Sequence, residues 1–165
     1  MRQKLLIFFS IIVLASINYA IYEKEQLKAN GETILLELAP RDPRSLMQGD
    51  YMRLRFALDR INVPKKFRNK NSKIYMVIKS DENQIAQFIR FQNNQKIVDG
   101  ENLLIVRGKH GRIDIKPDSY FFQEGHASHY QDAKYGVFKF SSKDSKHEHM
   151  LIGLADEDRK LIVVD

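Results

Sequence analysis

The sequence predicts a mainly β fold: an N-terminal transmembrane helix followed by a compact β-barrel or sandwich domain with one short helix. Three observations carry this expectation. An uncharged, mostly apolar run occupies residues 5–22. Beyond it, short runs of alternating apolar and polar residues recur between Gly, Asn, Asp and Pro turn signals, the pattern of many half-buried strands. There is no cysteine, so the fold uses no disulfide framework and no thiolate chemistry.

The apolar run "LLIFFSIIVLASINYAIY" is 18 residues long. As a helix it spans about 27 Å, close to the ~30 Å hydrocarbon thickness of a bilayer. A cleaved signal peptide is the competing assignment, and it requires small residues at −3 and −1 of the cut. Ala20 at −1 places Asn18 at −3, and Ser16 at −1 places Leu14 there. Neither pair suits the peptidase, so the run is expected to remain as an anchor. Arg2 and Lys4 precede it and mixed charges follow, which orients the N-terminus to the cytoplasm. The expected layout is a cytoplasmic stub and anchor at 1–22, a juxtamembrane connector at 23–31, and one extracytoplasmic β domain at 32–165. That makes a single-pass inner-membrane protein with its C-terminal domain in the periplasm. The chain carries 27 basic and 21 acidic residues, net +6; two of the basic residues precede the anchor, which leaves the outer part near +4.

Each element follows from local pattern. "EKEQLKAN" continues the anchor helix until Asn30-Gly31 breaks it. "TILLELA" at 33–39 is a strand. In "GDYMRLRFAL", Met52, Leu54, Phe56 and Leu58 fall on one face and Tyr51, Arg53 and Arg55 on the other. Three hairpins follow: "KIYMVIKS" with "QIAQFIRFQ", "ENLLIVRG" with "GRIDIKP", and "YGVFKFSS" with "HMLIGLAD". "RKLIVVD" is expected to form a last strand. Residues 117–135 interrupt the rhythm with an aromatic cluster and one or two helical turns at 127–133.

The segment "APRDPRSLMQGDYMRLRFAL" at 39–58 is the first candidate site. Pro40 and Pro43 restrict the loop, Arg44 can pair with Asp42 or Asp50, and Gly49 permits an unusual turn before the strand. Asp50 shares the apolar face of Met52, so if buried it needs a partner. The expectation is that Asp50 ties this loop to the second region, near Glu124.

These motifs resemble the bacterial family named for its Gly-Asp-Tyr-x-x-Leu-x-Tyr motif. Gly49, Asp50, Tyr51 and Leu54 match it, with Phe56 standing where the final Tyr is expected; the upstream Asp42-Pro43-Arg44, "FFQEGHASHYQDAKYGVFKF" and the "MLIGLADED" ending fit as well. The resemblance implies a small membrane-anchored protein whose partner class is the polytopic membrane proteins encoded beside it. It marks Asp42, Arg44, Gly49, Asp50, Tyr51, Leu54, Glu124, Gly125, Tyr130, Tyr135 and Gly136 as motif or binding residues. The missing hydroxyl at Phe56 suits a ring that packs rather than one that reacts. A weaker resemblance is to type I signal peptidases, carried by Gly49-Asp50 and by Pro117, Tyr120, Phe121, Gly125, Tyr135 and Gly136.

The catalytic implication of that second resemblance fails on spacing. Aligning Gly49-Asp50 on the peptidase Gly-Asp puts Arg41 where the serine belongs. Ser45 is displaced from that position by four residues, about 13 Å along an extended chain. A Ser-Lys dyad also needs a buried, neutral lysine, and Lys79 precedes a polar turn. His126 and His129, with Glu124, His147 and His149, are weighed as metal ligands, in no known zinc spacing. Paired carboxylates of defined role, a phosphate loop and a nucleophile elbow are absent from the sequence. No cofactor is expected. The basic run of Arg60, Lys65, Lys66, Arg68, Lys70 and Lys73 reads as a solvated loop, or as a contact with anionic lipid headgroups or a partner, not a nucleic-acid site. The expectation is therefore a non-catalytic module, set in inner-membrane lipid, that binds a polytopic membrane protein or an envelope component through 40–50 and 120–135. A divergent Ser-Lys or metal-assisted hydrolase and an anionic-lipid binder are the alternatives; the oligomeric state is not specified by the sequence.

Overall fold

A computed structural model describes residues 2–39, 51–67, 74–94, 96–109, 112–141 and 147–164. Among the described residues one α-helix, α1, runs over Arg2–Asn30, and its apolar stretch has a mean hydropathy of 2.2 with no part buried in the protein. It is long and apolar enough to cross a membrane once. The described residues then form nine strands: β1 Glu32–Glu37, β2 Tyr51–Arg53, β3 Ile74–Ser80, β4 Ala86–Gln92, β5 Asn102–Lys109, β6 Arg112–Asp114, β7 Ser119–Phe121, β8 Tyr135–Phe140 and β9 His149–Ala155.

The strands form three sheets, in the orders β1-β8-β9, β2-β7 and β4-β3-β5-β6. Together they make a curled half-barrel rather than a closed barrel. Mainly β is therefore right, and the three predicted hairpins are present as β3-β4, β5-β6 and β8-β9, all antiparallel. The concave side is filled by alternate residues: Ile34 and Leu36 of β1, Phe138 and Phe140 of β8, and Ile74, Met76 and Ile78 of β3 are all essentially inaccessible to solvent. A smaller cluster of Leu35, Val137 and Ala155, with Tyr135 and Ile152, covers the opposite face of the first sheet. Glu32 links two sheets, accepting from Ser80 Oγ at 3.2 Å and from the buried Asn102 Nδ2 at 3.0 Å.

Three expected elements differ. The strand predicted through residue 58 stops at Arg53, and Ala57–Arg60 form a 3-10 turn. The cause is Asp59: one carboxylate oxygen accepts the Phe56 N–H at 2.9 Å and the other accepts the Ile115 N–H at 3.3 Å, which folds the chain back on itself. The final apolar run is not a strand. It returns along β9 with one bridge, Leu161 to Ala155, and the Ile162 N–H donates to the Leu154 carbonyl at 2.8 Å. The helical turns expected at 127–133 reduce to a 3-10 turn at Ala127–Tyr130.

Candidate functional site

The motif segment that begins at Tyr51 and the aromatic segment around Tyr120 are joined. β2 pairs antiparallel with β7, with Tyr51 opposite Phe121, Met52 opposite Tyr120 and Arg53 opposite Ser119. Beyond the strand, the Leu54 N–H donates to the Asp118 carbonyl at 2.8 Å. Leu38 then bridges Phe56, and the Ala39 N–H donates to the Arg55 carbonyl at 2.8 Å. This β2–β7 seam therefore sits against the end of β1.

Strand alternation divides the seam into two faces. Met52, Leu54 and Phe56 point inward and are buried; Arg53 and Arg55 point out and are exposed. On the outer side Tyr51 lies tilted against Phe121, with ring centroids 5.7 Å apart, and Phe121 is 74% exposed. The hydrogen bond from Lys116 holds the Asp118 carboxyl below its ordinary range, with a small further contribution from Arg53.

On the inner side Phe56, with 0% exposure, meets Phe138 edge to face at 5.6 Å. Gly136 makes room for it. A Cβ at this position would lie 3.0 Å from Phe56 Cε1 and 3.2 Å from Phe138 Cε2. The departure from Tyr to Phe thus falls on a ring that packs. Tyr135, the neighbour of Gly136, faces the other way into the smaller cluster. Tyr130 is buried between Tyr120 and Phe122, with centroids at 5.2 and 5.3 Å. Burial, reinforced by a hydrogen bond to Tyr130, pushes the Tyr120 hydroxyl up to about 12.

Glu124 and Gly125 are exposed and occupy a turn closed by the His126 N–H donating to the Gln123 carbonyl at 3.1 Å. Gly125 has φ +84°, the left-handed geometry that such a turn requires at its third residue. Gly125 therefore shapes the turn, and the Glu124 side chain is presented to solvent from it. His126 and His129 lie edge to face at 5.8 Å, but among the described residues no three His, Asp or Glu side chains are grouped to hold a metal. Lys79 and Ser128 are both exposed, so neither supplies half of a buried dyad. Asp42, Arg44, Ser45, Gly49 and Asp50, with Arg68, Lys70 and Lys73 of the basic run, lie outside the described residues, as does the expected tie from Asp50 to the Glu124 region.

Two features carried no clear sequence signal. Asp59 pins the seam to β6, and burial raises its carboxyl above the usual range against the pull of its two backbone donors. A cleft of about 380 Å³ crosses the convex face of the first sheet. Leu35, Val137, Ile152 and Leu161 line it, and Gln84 and Arg159, both at positive φ, stand on its lips.

A family model described as "GDYXXLXY protein" matches residues 13–143, and the chain belongs to that family. No curated protein and no solved structure matches it. The likeness to type I signal peptidases therefore rests on the quoted residues alone.

Proposed function

We propose that this member of the GDYXXLXY family is a non-catalytic, membrane-anchored module that binds a polytopic membrane protein through the outer face of its motif seam. The domain stands in the periplasm and the N-terminus in the cytoplasm. The observation that carries this reading is the division of the motif. Leu54, Phe56 and Gly136 are consumed by packing, whereas the strand that begins the motif presents Tyr51, Arg53 and Arg55 outward beside a largely exposed Phe121. Beyond its one ring contact with Tyr51, a side chain this exposed adds little to the stability of a monomeric domain. Aromatic and arginine side chains together are the composition of interface anchors.

The test is photo-cross-linking of the full-length chain in its native membrane. A benzophenone side chain is placed at Phe121 and, as a control, at Val98, another exposed apolar position. The proposal predicts a discrete adduct with a multi-spanning protein from position 121 and none from position 98. Equal adduct patterns from both positions, or adducts with lipid only, would overturn it. A C-terminal reporter active only outside the cytoplasm is expected to be active; an inactive one would reverse the assigned topology.

A further inference from the structure

The helix does not end where its apolar run ends. It continues for eight more residues, to Asn30, and is locked to the sheet. Lys24 Nζ pairs with Glu148 Oε2 at 2.6 Å. Leu27 is buried against the domain, at 8% exposure. The Gly31 N–H donates to the Leu27 carbonyl at 2.9 Å, and the Gly31 carbonyl accepts from Lys139 Nζ at 3.0 Å. A Cβ on Gly31 would stand 2.5 Å from the Leu27 oxygen and 2.9 Å from the Phe140 oxygen, so the helix–sheet corner is closed to any larger residue. A flexible tether has none of these contacts.

Helical rise converts these contacts into heights. Tyr22 is the last residue before Glu23, Lys24 and Glu25, and it and Tyr19 are exposed aromatic side chains at that end of the apolar run, where interfacial anchors belong. Lys24 lies about 3 Å beyond Tyr22 and Leu27 about 8 Å beyond it. The headgroup layer is about 5–7 Å deep on each side. The Lys24–Glu148 pair is thus at headgroup depth. The sheet row Glu32, Phe140 and His149 begins at this joint, whereas the row Glu37, Tyr135 and Ala155 lies five residues away, up to about 17 Å along the strands. The seam attaches at that distal row, through Leu38 and Phe56.

We infer that the anchor and the half-barrel form one rigid unit, with the Glu32, Phe140 and His149 row of the first sheet resting toward the phospholipid headgroups and the motif seam held away from them. The seam therefore meets only those parts of a membrane partner that project beyond the bilayer surface. This rests on the helix spanning the membrane but on neither the compartment nor the partner.

The absence of cysteine makes the test direct. Full-length chains with single substitutions Val13→Cys, His147→Cys or Phe121→Cys are labelled with a fluorophore. They are reconstituted into phosphatidylethanolamine–phosphatidylglycerol vesicles containing either an acyl-chain or a headgroup nitroxide lipid. The acyl-chain nitroxide is expected to quench the label at 13. The headgroup nitroxide is expected to quench the label at 147 several-fold more than the label at 121. Inserting three glycines after Asn30 should erase the difference between 147 and 121. Equal quenching at 147 and 121 in the uninterrupted chain, with the label at 13 still quenched, overturns the rigid placement and leaves the spanning helix standing. No quenching at 13 overturns both. A difference that survives the glycine insertion also overturns the rigid unit.

Discussion

The two faces of residues 51–56 share a backbone and differ in almost everything else. The inner face is a packing problem already solved: Met52, Leu54 and Phe56 are buried, and Gly136 is small where Phe56 needs the space. The outer face leaves a ring in water beside two arginines. A motif can thus mark two selective demands at once, and substitutions on alternate residues should separate them. Changes on the inner face should cost stability whether or not a partner is present. Changes on the outer face should leave the isolated protein intact and be felt only in the membrane.

The largest effect is expected at Phe56. Phe56→Ala removes a fully buried ring from between Gly136 and Phe138, and should destabilise the domain by about 3–5 kcal/mol in denaturant unfolding of the detergent-solubilised chain. A loss below about 1 kcal/mol would mean that the inner face is not the structural half.

Next is a pH effect at the helix–sheet joint. His149 stacks on Phe140 at 5.6 Å, and its Nδ1 is buried without a hydrogen-bond partner among the described residues. Burial lowers its pKa from 6.5 to about 4, assisted by Lys24 and opposed by Glu148 and by a hydrogen bond with the Lys116 backbone. A folded pKa below the unfolded value means that this contribution to stability is whole above pH 6.5 and is lost as the pH falls toward 4. The loss should reach about 3 kcal/mol at the acid end. His149→Phe keeps the ring and should flatten that part of the profile; an unchanged profile would remove His149 as its source.

Asp59→Ala comes third. It strands the N–H groups of Phe56 and Ile115, and should cost about 1–3 kcal/mol by the same unfolding measurement. The smallest effect on stability belongs to Phe121→Ala, expected within about 0.5 kcal/mol of the parent because the ring is exposed. If Phe121→Ala proved as damaging as Phe56→Ala, the division between the faces would disappear.

What could be read in the sequence was what depends on neighbours in the chain. The apolar run became one helix, and the alternation of Met52, Leu54 and Phe56 correctly gave the buried side, because both are local periodicities. Hairpins joined by short turns were legible for the same reason. What was not legible depends on distant pairing. β1 pairs with β8 about a hundred residues away, and no local pattern announces that register. The early end of β2 depends on Asp59 reaching Ile115, 56 positions on. The fit of Phe56 over Gly136 is likewise invisible until the strands are placed. Glutamine at 84 and arginine at 159 gave no warning of positive φ, since a sequence signals that geometry chiefly through glycine and asparagine. Of the candidate site residues, Tyr51, Leu54, Tyr130 and Gly136 found places in or beside the seam, Tyr135 packs in the smaller cluster, Gly125 shapes the turn that carries Glu124, and the rings of His126 and His129 meet edge to face.

Thiol alkylation of a Phe121→Cys chain reads out whether a partner covers the outer face of the seam in the membrane. The rate is measured in native membranes and again after purification, with Val98→Cys alongside. Cys at 121 is expected to be protected in native membranes and released on purification, while Cys at 98 reacts alike in both. Equal reactivity of position 121 in the two settings would contradict such a cover.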